Sequence, residues 1–163
     1  LAMPYLRKHF GNFTLVSTEE KLMESVTSDF FPGVDYNFKG FIDLVLKTED
    51  GKYHVIDWKT CSWGWDSRKK ADKMVCYQLV LYKNFFAQKH DIDLNDVETH
   101  FALLKRTAKK NQIEIFRVTS GQKRIKNSLD MLDASVYNII NKKYVKNRLS
   151  CNRCPYYKTK HCT

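Results

Sequence analysis

From residue 37 onward the chain alternates. Phe38, Gly40, Ile42, Leu44 and Leu46 interleave with Lys39, Phe41, Asp43, Val45 and Lys47, and a second run, Tyr53 to Lys59, is rich in Val and Ile. A period of two belongs to strands. Glu49, Asp50 and Gly51 separate the runs as a turn, so residues 37–59 are expected to form a β-hairpin with Asp43 on one arm and Asp57 on the other. Ahead of it, Tyr5 and Leu6 (with Leu1) read as the end of a helix. Phe13 to Ser17 reads as a short strand, followed by a polar stretch holding Pro32 and Gly33. From about Lys69 to Lys89 apolar positions recur every three or four residues (Ala71, Val75, Tyr82, Phe85), which predicts one helix. An Asp/Asn-rich linker, His90 to Asp96, leads to strands at Glu98 to Lys105 and Gln112 to Val118. Ser120 is placed to cap a last helix from Gly121 to Asn147, with Ile125, Leu129, Leu132 and Val136 on its apolar face. The order β, β-hairpin, α, β, β, α predicts an α+β fold, a mixed central sheet flanked by helices in a single domain.

Composition narrows the function. The 163 residues are 43% hydrophobic and 28% charged, ordinary globular usage that excludes a disordered chain. No apolar run reaches the length of a membrane span and no secretory leader pattern opens the chain, so an intracellular setting is expected. Lys and Arg number 28 against 18 Asp and Glu, a net charge of +10, which makes a polyanion the leading partner, DNA above all.

The hairpin can supply chemistry for that partner. Phosphodiester hydrolysis uses a divalent cation to polarise the phosphate and lower the pKa of a bound water. Mg²⁺ prefers one or two carboxylates together with water and substrate oxygens. Asp57 and Lys59 are two apart on a strand, so they share a face, and Asp43 lies on the neighbouring strand with Gly40 nearby for close backbone approach. A carboxylate between Ile56 and Trp58 is costly unless paired or bound to metal. Taken alone, a D-x-K triplet is most simply a hairpin salt bridge; the surrounding motifs shift the balance.

The run FKGFIDLVLKTEDGKYHVIDWKT, followed by YQLVLY, resembles the RecB-like branch of the PD-(D/E)XK nucleases. That branch includes the RecB and AddB nuclease domains, iron–sulfur nucleases of CRISPR adaptation and phage exonucleases. The family pattern of G-x-x-D, D/E-x-K and Q-x-x-x-Y appears here as Gly40 to Asp43, Asp57 to Lys59 and Gln78 to Tyr82. The resemblance implies a restriction-endonuclease-like core. Asp43, Asp57 and the Trp58 carbonyl would be ligands of Mg²⁺ or Mn²⁺, Lys59 the catalytic cation, and Gln78 and Tyr82 would line the site. It also implies an acidic residue before G-x-x-D, for which Glu19 is preferred over Glu20. A metal-binding histidine further upstream is either His9 or belongs to an N-terminal helical part preceding Leu1.

Residues 148–163 form a cysteine-rich tail in which Cys151, Cys154 and Cys162 make C-x2-C-x7-C. With His161 or an upstream ligand they would hold a structural Zn²⁺ or, as in iron–sulfur members of the family, a 4Fe-4S cluster. Trp63 and Trp65, followed by Arg68, Lys69 and Lys70, could stack on unpaired bases and hold phosphates; the indoles serve equally well as cover for the core edge. Lys105, Arg106, Lys109 and Lys110 make a second basic cluster. The expectation is a metal-dependent, exonuclease-like DNA nuclease of recombination, repair or replication. Its alternative is a non-catalytic DNA-binding module of the same fold, and a helicase is an expected partner for either.

Overall fold

Strands dominate the first sixty residues because alternation there continues further than the apolar positions reveal. The computed structural model describes residues 2–28, 30–33, 35–144 and 148–162. In it α1 (Met3–Phe10) precedes β1 (Phe13–Val26), β2 (Tyr36–Thr48) and β3 (Tyr53–Cys61). Helices α2 (Ser67–Ala71) and α3 (Lys73–His90) cross over to β4 (Val97–Lys105), which turns into β5 (Ile113–Val118) before α4 (Gln122–Ile140). The five strands stand in the order β1-β2-β3-β4-β5. Only β3 and β4 run parallel, the pairing that needs a long crossover; all other neighbours are antiparallel.

The sheet is buried on both faces. On one side α3 packs against Leu22, Ile42, Val45, Val55, Phe101 and Leu103, with Leu129 and Leu132 of α4 joining at the margin. On the other side Leu6 of α1 meets Leu44, Leu46, Ile56 and Ala102. The expected α+β fold with a mixed, helix-flanked sheet is the one observed.

Four boundaries differ from the sequence reading. β1 runs on from Ser17 to Val26, pairing with β2 as far as Val26–Tyr36. As an edge strand with few inward apolar residues beyond Leu22, it carries a weak hydrophobic signal. The expected single helix over 69–89 is two, because Asp72 breaks it: its carboxylate accepts the Met74 and Val75 N–H groups and starts α3. Ser120 does not cap α4; Gly121 occupies that position, and the Ser120 hydroxyl receives a hydrogen bond from Thr99 Oγ1 at 3.1 Å. α4 ends at Ile140, and of the expected extension residues 145–147 lie outside the described residues, as does Leu1.

Candidate active site

The alternation of β2 breaks at Asp43. Ile42 and Val45 lie on the α3 side, whereas Leu44 and Leu46 lie on the α1 side. The β2–β3 register runs from Lys47–Tyr53 only to Leu44–Ile56. Past that point the Asp43 carboxylate takes over, its Oδ2 accepting the Trp58 backbone N–H at 2.7 Å. On β1, Glu19 sits between the pairs Thr18–Leu44 and Glu20–Ile42 and has φ +49°. Irregularities of this kind re-aim side chains and concentrate beside active sites.

Asp57 occupies the middle of β3 with a side chain 4% exposed. Its Oδ1 accepts from Gln78 Nε2 at 3.1 Å. Its Oδ2 is buried and ion-paired with Lys59 Nζ at 2.7 Å. Burial is the largest influence on this carboxyl and raises its pKa; Lys59 opposes the rise and the nearby charge of Asp43 adds to it. Gln78 ties the group together. Its Oε1 accepts from Lys59 Nζ at 3.0 Å, while its Nε2 also donates to the Tyr82 hydroxyl at 3.0 Å. Both ends of the amide are engaged, which fixes its orientation. Gln78 and Tyr82 are one helical turn apart on α3, the crossover helix that follows β3.

Gly40 explains why a glycine opens this constellation. A Cβ there would stand 2.7 Å from Tyr82 Cε1 and 3.1 Å from Phe38 Cε1. The Tyr82 ring lies against the bare backbone of β2, and that contact seats α3 close enough for Gln78 to reach β3. Asp43, Asp57, Lys59, Gln78 and Tyr82 are thus brought together on one side of the sheet.

Other expected residues are distributed differently. Glu19 is exposed, whereas Glu20 accepts from Lys89 Nζ at 2.8 Å and contacts His90 Nε2 at 2.6 Å at the far end of α3. His9 lies on α1, its ring 5.7 Å from that of His100, on the face of the sheet away from Asp57, so of the two expected sources of an upstream histidine, His9 does not stand at the Asp57 centre. The two indoles part company. Trp63 is 77% exposed, while Trp65 packs at the core edge against Phe101 and Phe116 with ring centroids at 5.2 and 6.2 Å. Lys69 Nζ stands 4.7 Å from the Trp65 ring and Arg68 is exposed. Lys70 is drawn to Glu114 at 2.5 Å, with Lys105 on the other carboxylate oxygen at 3.3 Å.

In the tail, Cys154 and Cys162 are exposed and Cys151 is half-buried, in a short 3₁₀ turn over Arg148–Arg153. Among the described residues the tail thiols are not gathered into a three-ligand set. The group of three potential metal ligands that does converge, His54, Glu98 and His100, was missed in the sequence. Its legible trace was Glu98-x-His100, a same-face pair on a strand; His54 joins only through the parallel β3–β4 pairing.

The donors of the first group suit a hard divalent cation. Asp43 and Asp57 offer carboxylate oxygens, and the burial of Asp57 beside a second carboxylate is a cost that a cation would offset.

A model of the PD-(D/E)XK nuclease superfamily matches residues 3–159. Among solved structures, SSO0001 is similar over 96% of this chain and 66% of its own, at 16% identity and a TM-score of 0.54. A protein of Eubacterium rectale named "Putative exonuclease" is similar over 90% of this chain and 52% of its own, at 13% identity and a TM-score of 0.50. The chain therefore spans less than two thirds of either protein, and at these identities the likeness is one of fold. No curated protein matches the sequence.

Proposed function

Because the chain belongs to the PD-(D/E)XK nuclease superfamily, we propose that it is a metal-dependent DNA nuclease acting on strand ends or single strands in the manner of the RecB-like exonucleases. The observation that carries this reading is the Asp57 carboxylate, buried among apolar strand residues, with one oxygen held by Gln78, the other paired with Lys59, and the charge of Asp43 close enough to act on it. Asp43 and Asp57 hold Mg²⁺ or Mn²⁺, with the Trp58 carbonyl as a further ligand. When bound, the cation polarises the phosphate and lowers the pKa of an attacking water.

The chain's own residues do the rest. Asp43 keeps β2 and β3 in register at the site through the Trp58 N–H. Gln78 orients both Asp57 and Lys59, and Tyr82 holds Gln78. Lys59, half-buried with its ammonium steadied by two oxygens, neutralises charge developing on the phosphate. Glu19, beside the irregularity opposite Asp43, completes the acidic set. Trp63 stacks on a base, and Arg68 and Lys69 hold the backbone. Trp65 and Lys70 brace that loop against Phe101 and Glu114.

The tail cysteines enter as a structural ligand set for zinc or an iron–sulfur cluster with His161. The C-x2-C turn, in which Cys154 N–H reaches the Cys151 carbonyl at 3.1 Å, supports this. A visible absorption spectrum of anaerobically purified protein separates the two metals. No helix among the described residues is long and apolar enough to cross a membrane, and a helicase or other DNA-processing partner belongs to the same reading.

The test compares wild type with Asp57→Ala and Lys59→Ala on linear and circular DNA under Mg²⁺ and Mn²⁺. Lys59→Ala is expected to lose on the order of 10²–10³-fold in rate, and Asp57→Ala to lose metal-dependent cleavage altogether. Equal cleavage by all three proteins would refute the site. DNA binding without cleavage by any of them would instead favour a strand-guiding module. Degradation of linear but not circular DNA is the expected mark of attack at ends.

A further inference from the structure

The second face of the sheet holds an unassigned cluster. Alternation along β3 sends Asp57 toward α3 and His54, Ile56 and Trp58 toward α1. On β4, Glu98 and His100 face the same way as His54, and parallel pairing sets His54 beside Glu98 and Ile56 beside His100. His54 Nδ1 is 3.1 Å from His100 Nε2 and 3.8 Å from Glu98 Oε2, and His100 Nε2 is 3.7 Å from that same oxygen. Three donors thus form a nearly equilateral triangle. A point roughly 2.1 Å from all three lies close to its plane, which is the length of a Zn–N or Zn–O bond.

The surrounding contacts orient two of the three donors, His54 and Glu98. Thr48 Oγ1 is 2.9 Å from His54 Nε2, and the Thr48 hydroxyl has Asp50 Oδ1 at 2.5 Å to receive its own proton. The hydroxyl oxygen is therefore free to accept the His54 Nε2–H, which leaves the Nδ1 lone pair pointing at the cluster. This arrangement, in which the far N–H of an imidazole is held by an oxygen, recurs in metal-ligating histidines. Arg117 takes Glu98 Oε1 at 3.1 Å and so turns Oε2 inward. His100 is 3% exposed and its Nδ1 has no hydrogen-bond partner; with His54 Nδ1 an acceptor, the 3.1 Å bond between the rings is donated by His100 Nε2–H, the proton whose place a cation would take. Phe10 walls the cluster, its ring centroid 4.8 Å from His54 and 4.9 Å from His100. A cleft of about 510 Å³ borders all three side chains.

We propose that His54, Glu98 and His100 form a second metal site, on the face of the sheet opposite Asp57, that binds a first-row transition dication of the Zn²⁺ class and keeps one open position toward the cleft. Two imidazoles and one carboxylate favour such an ion over Mg²⁺, which demands oxygen ligands. The site is independent of the nuclease reading, since it shares no side chain with that centre.

The test uses the full chain with Cys151, Cys154 and Cys162 changed to Ser, which removes the thiolates, in an Asp43→Ala, Asp57→Ala background, stripped with chelator. Titration with Co²⁺ is expected to give one equivalent with visible ligand-field bands and no thiolate charge-transfer band. Zn²⁺ should displace the Co²⁺, and Mg²⁺ in millimolar excess should not. Glu98→Gln and His54→Gln are expected to abolish this equivalent while the far-UV circular dichroism stays that of the parent. Because a buried-histidine variant can unfold, Thr48→Val serves as a milder probe: it removes the hydroxyl facing His54 Nε2, with its turn bonds to Asp50 and the Lys52 carbonyl, leaves all three ligands in place and should weaken binding about 10–100-fold. No cobalt equivalent in the parent, or an equivalent with unchanged affinity in Glu98→Gln, His54→Gln and Thr48→Val, overturns the proposal in favour of a metal-free polar cluster.

Discussion

Replacing Gly40 by Ala adds one methyl group at the point where β2 and α3 touch. Gly40 does not have a positive φ, so alanine meets no backbone strain, and on conformational entropy alone the change would stabilise by about 0.4–1 kcal/mol. Space decides otherwise. The new Cβ would lie 2.7 Å from Tyr82 Cε1 and 3.1 Å from Phe38 Cε1, against an ordinary carbon–carbon separation of about 3.5–4.0 Å. Neither ring yields easily. Tyr82 is 8% exposed and bonded to Gln78, and Phe38 is stacked on Phe85 at 4.3 Å. The expected net effect is a loss of about 1–3 kcal/mol, a fall in Tm of about 2–4 °C for each kcal/mol at this chain length. DNA cleavage should fall as well, although Gly40 brings no reactive group, because a displaced Tyr82 releases Gln78 from Asp57 and Lys59. Urea unfolding of Gly40→Ala, Tyr82→Leu and the double variant measures the coupling. The double variant should be more stable than the sum of the singles by more than the ~0.5 kcal/mol expected of independent sites. A Gly40→Ala protein as stable as wild type, or strict additivity, refutes the packing argument.

Asp72→Ala removes the cap that starts α3 and should cost about 1 kcal/mol in chemical denaturation, with Asp72→Asn largely restoring it. Trp63→Ala should weaken single-stranded DNA binding by about 1–3 kcal/mol with little change in salt dependence. Arg68→Ala or Lys69→Ala should instead reduce the salt slope by about 0.7 per lost phosphate contact; fluorescence anisotropy over a salt series separates the two. The hydrogen bond from Lys70 is the largest influence holding the Glu114 carboxyl below its ordinary value, with Lys105 assisting. A depressed folded pKa gives stability that is present above the unfolded value near 4.5 and is lost as pH falls through the folded one. Carboxyl NMR titration should show Glu114 moving up in Lys70→Met; an unchanged midpoint would exclude the pair as the cause. For so accessible a pair the stability at stake is below about 1 kcal/mol.

What could be read from the chain depended on how local the signal was. The β2–β3 hairpin was legible because both strands are central and pack against two cores, and the group of Asp43, Asp57, Lys59, Gln78 and Tyr82 because its spacings survive in one dimension. β1 past Ser17 was obscured by its exposure, since Lys21, Met23 and Ser25 face outward and only Leu22 and Val26 mark the inner side. The break at Asp72 was hidden because both flanking helices continue the same apolar period. Trp63 and Trp65 flank the same glycine, and the positions of Phe101 on β4 and Phe116 on β5 distinguish them. The His54 cluster was invisible for a stronger reason: its members lie on two strands whose adjacency is created by a crossover of more than thirty residues.

Beyond Ile56 the ladder between β2 and β3 gives way to a single side-chain clamp, Asp43 on the Trp58 amide. That amide proton is consequently a built-in spectroscopic reporter, because its protection from solvent exchange depends on a carboxylate and not on a neighbouring carbonyl. In the proposed reading, loading the centre with Mg²⁺ would draw on the same carboxylate, so the Trp58 resonance should shift and its exchange rate change while that of Val55, inside the ladder, stays fixed.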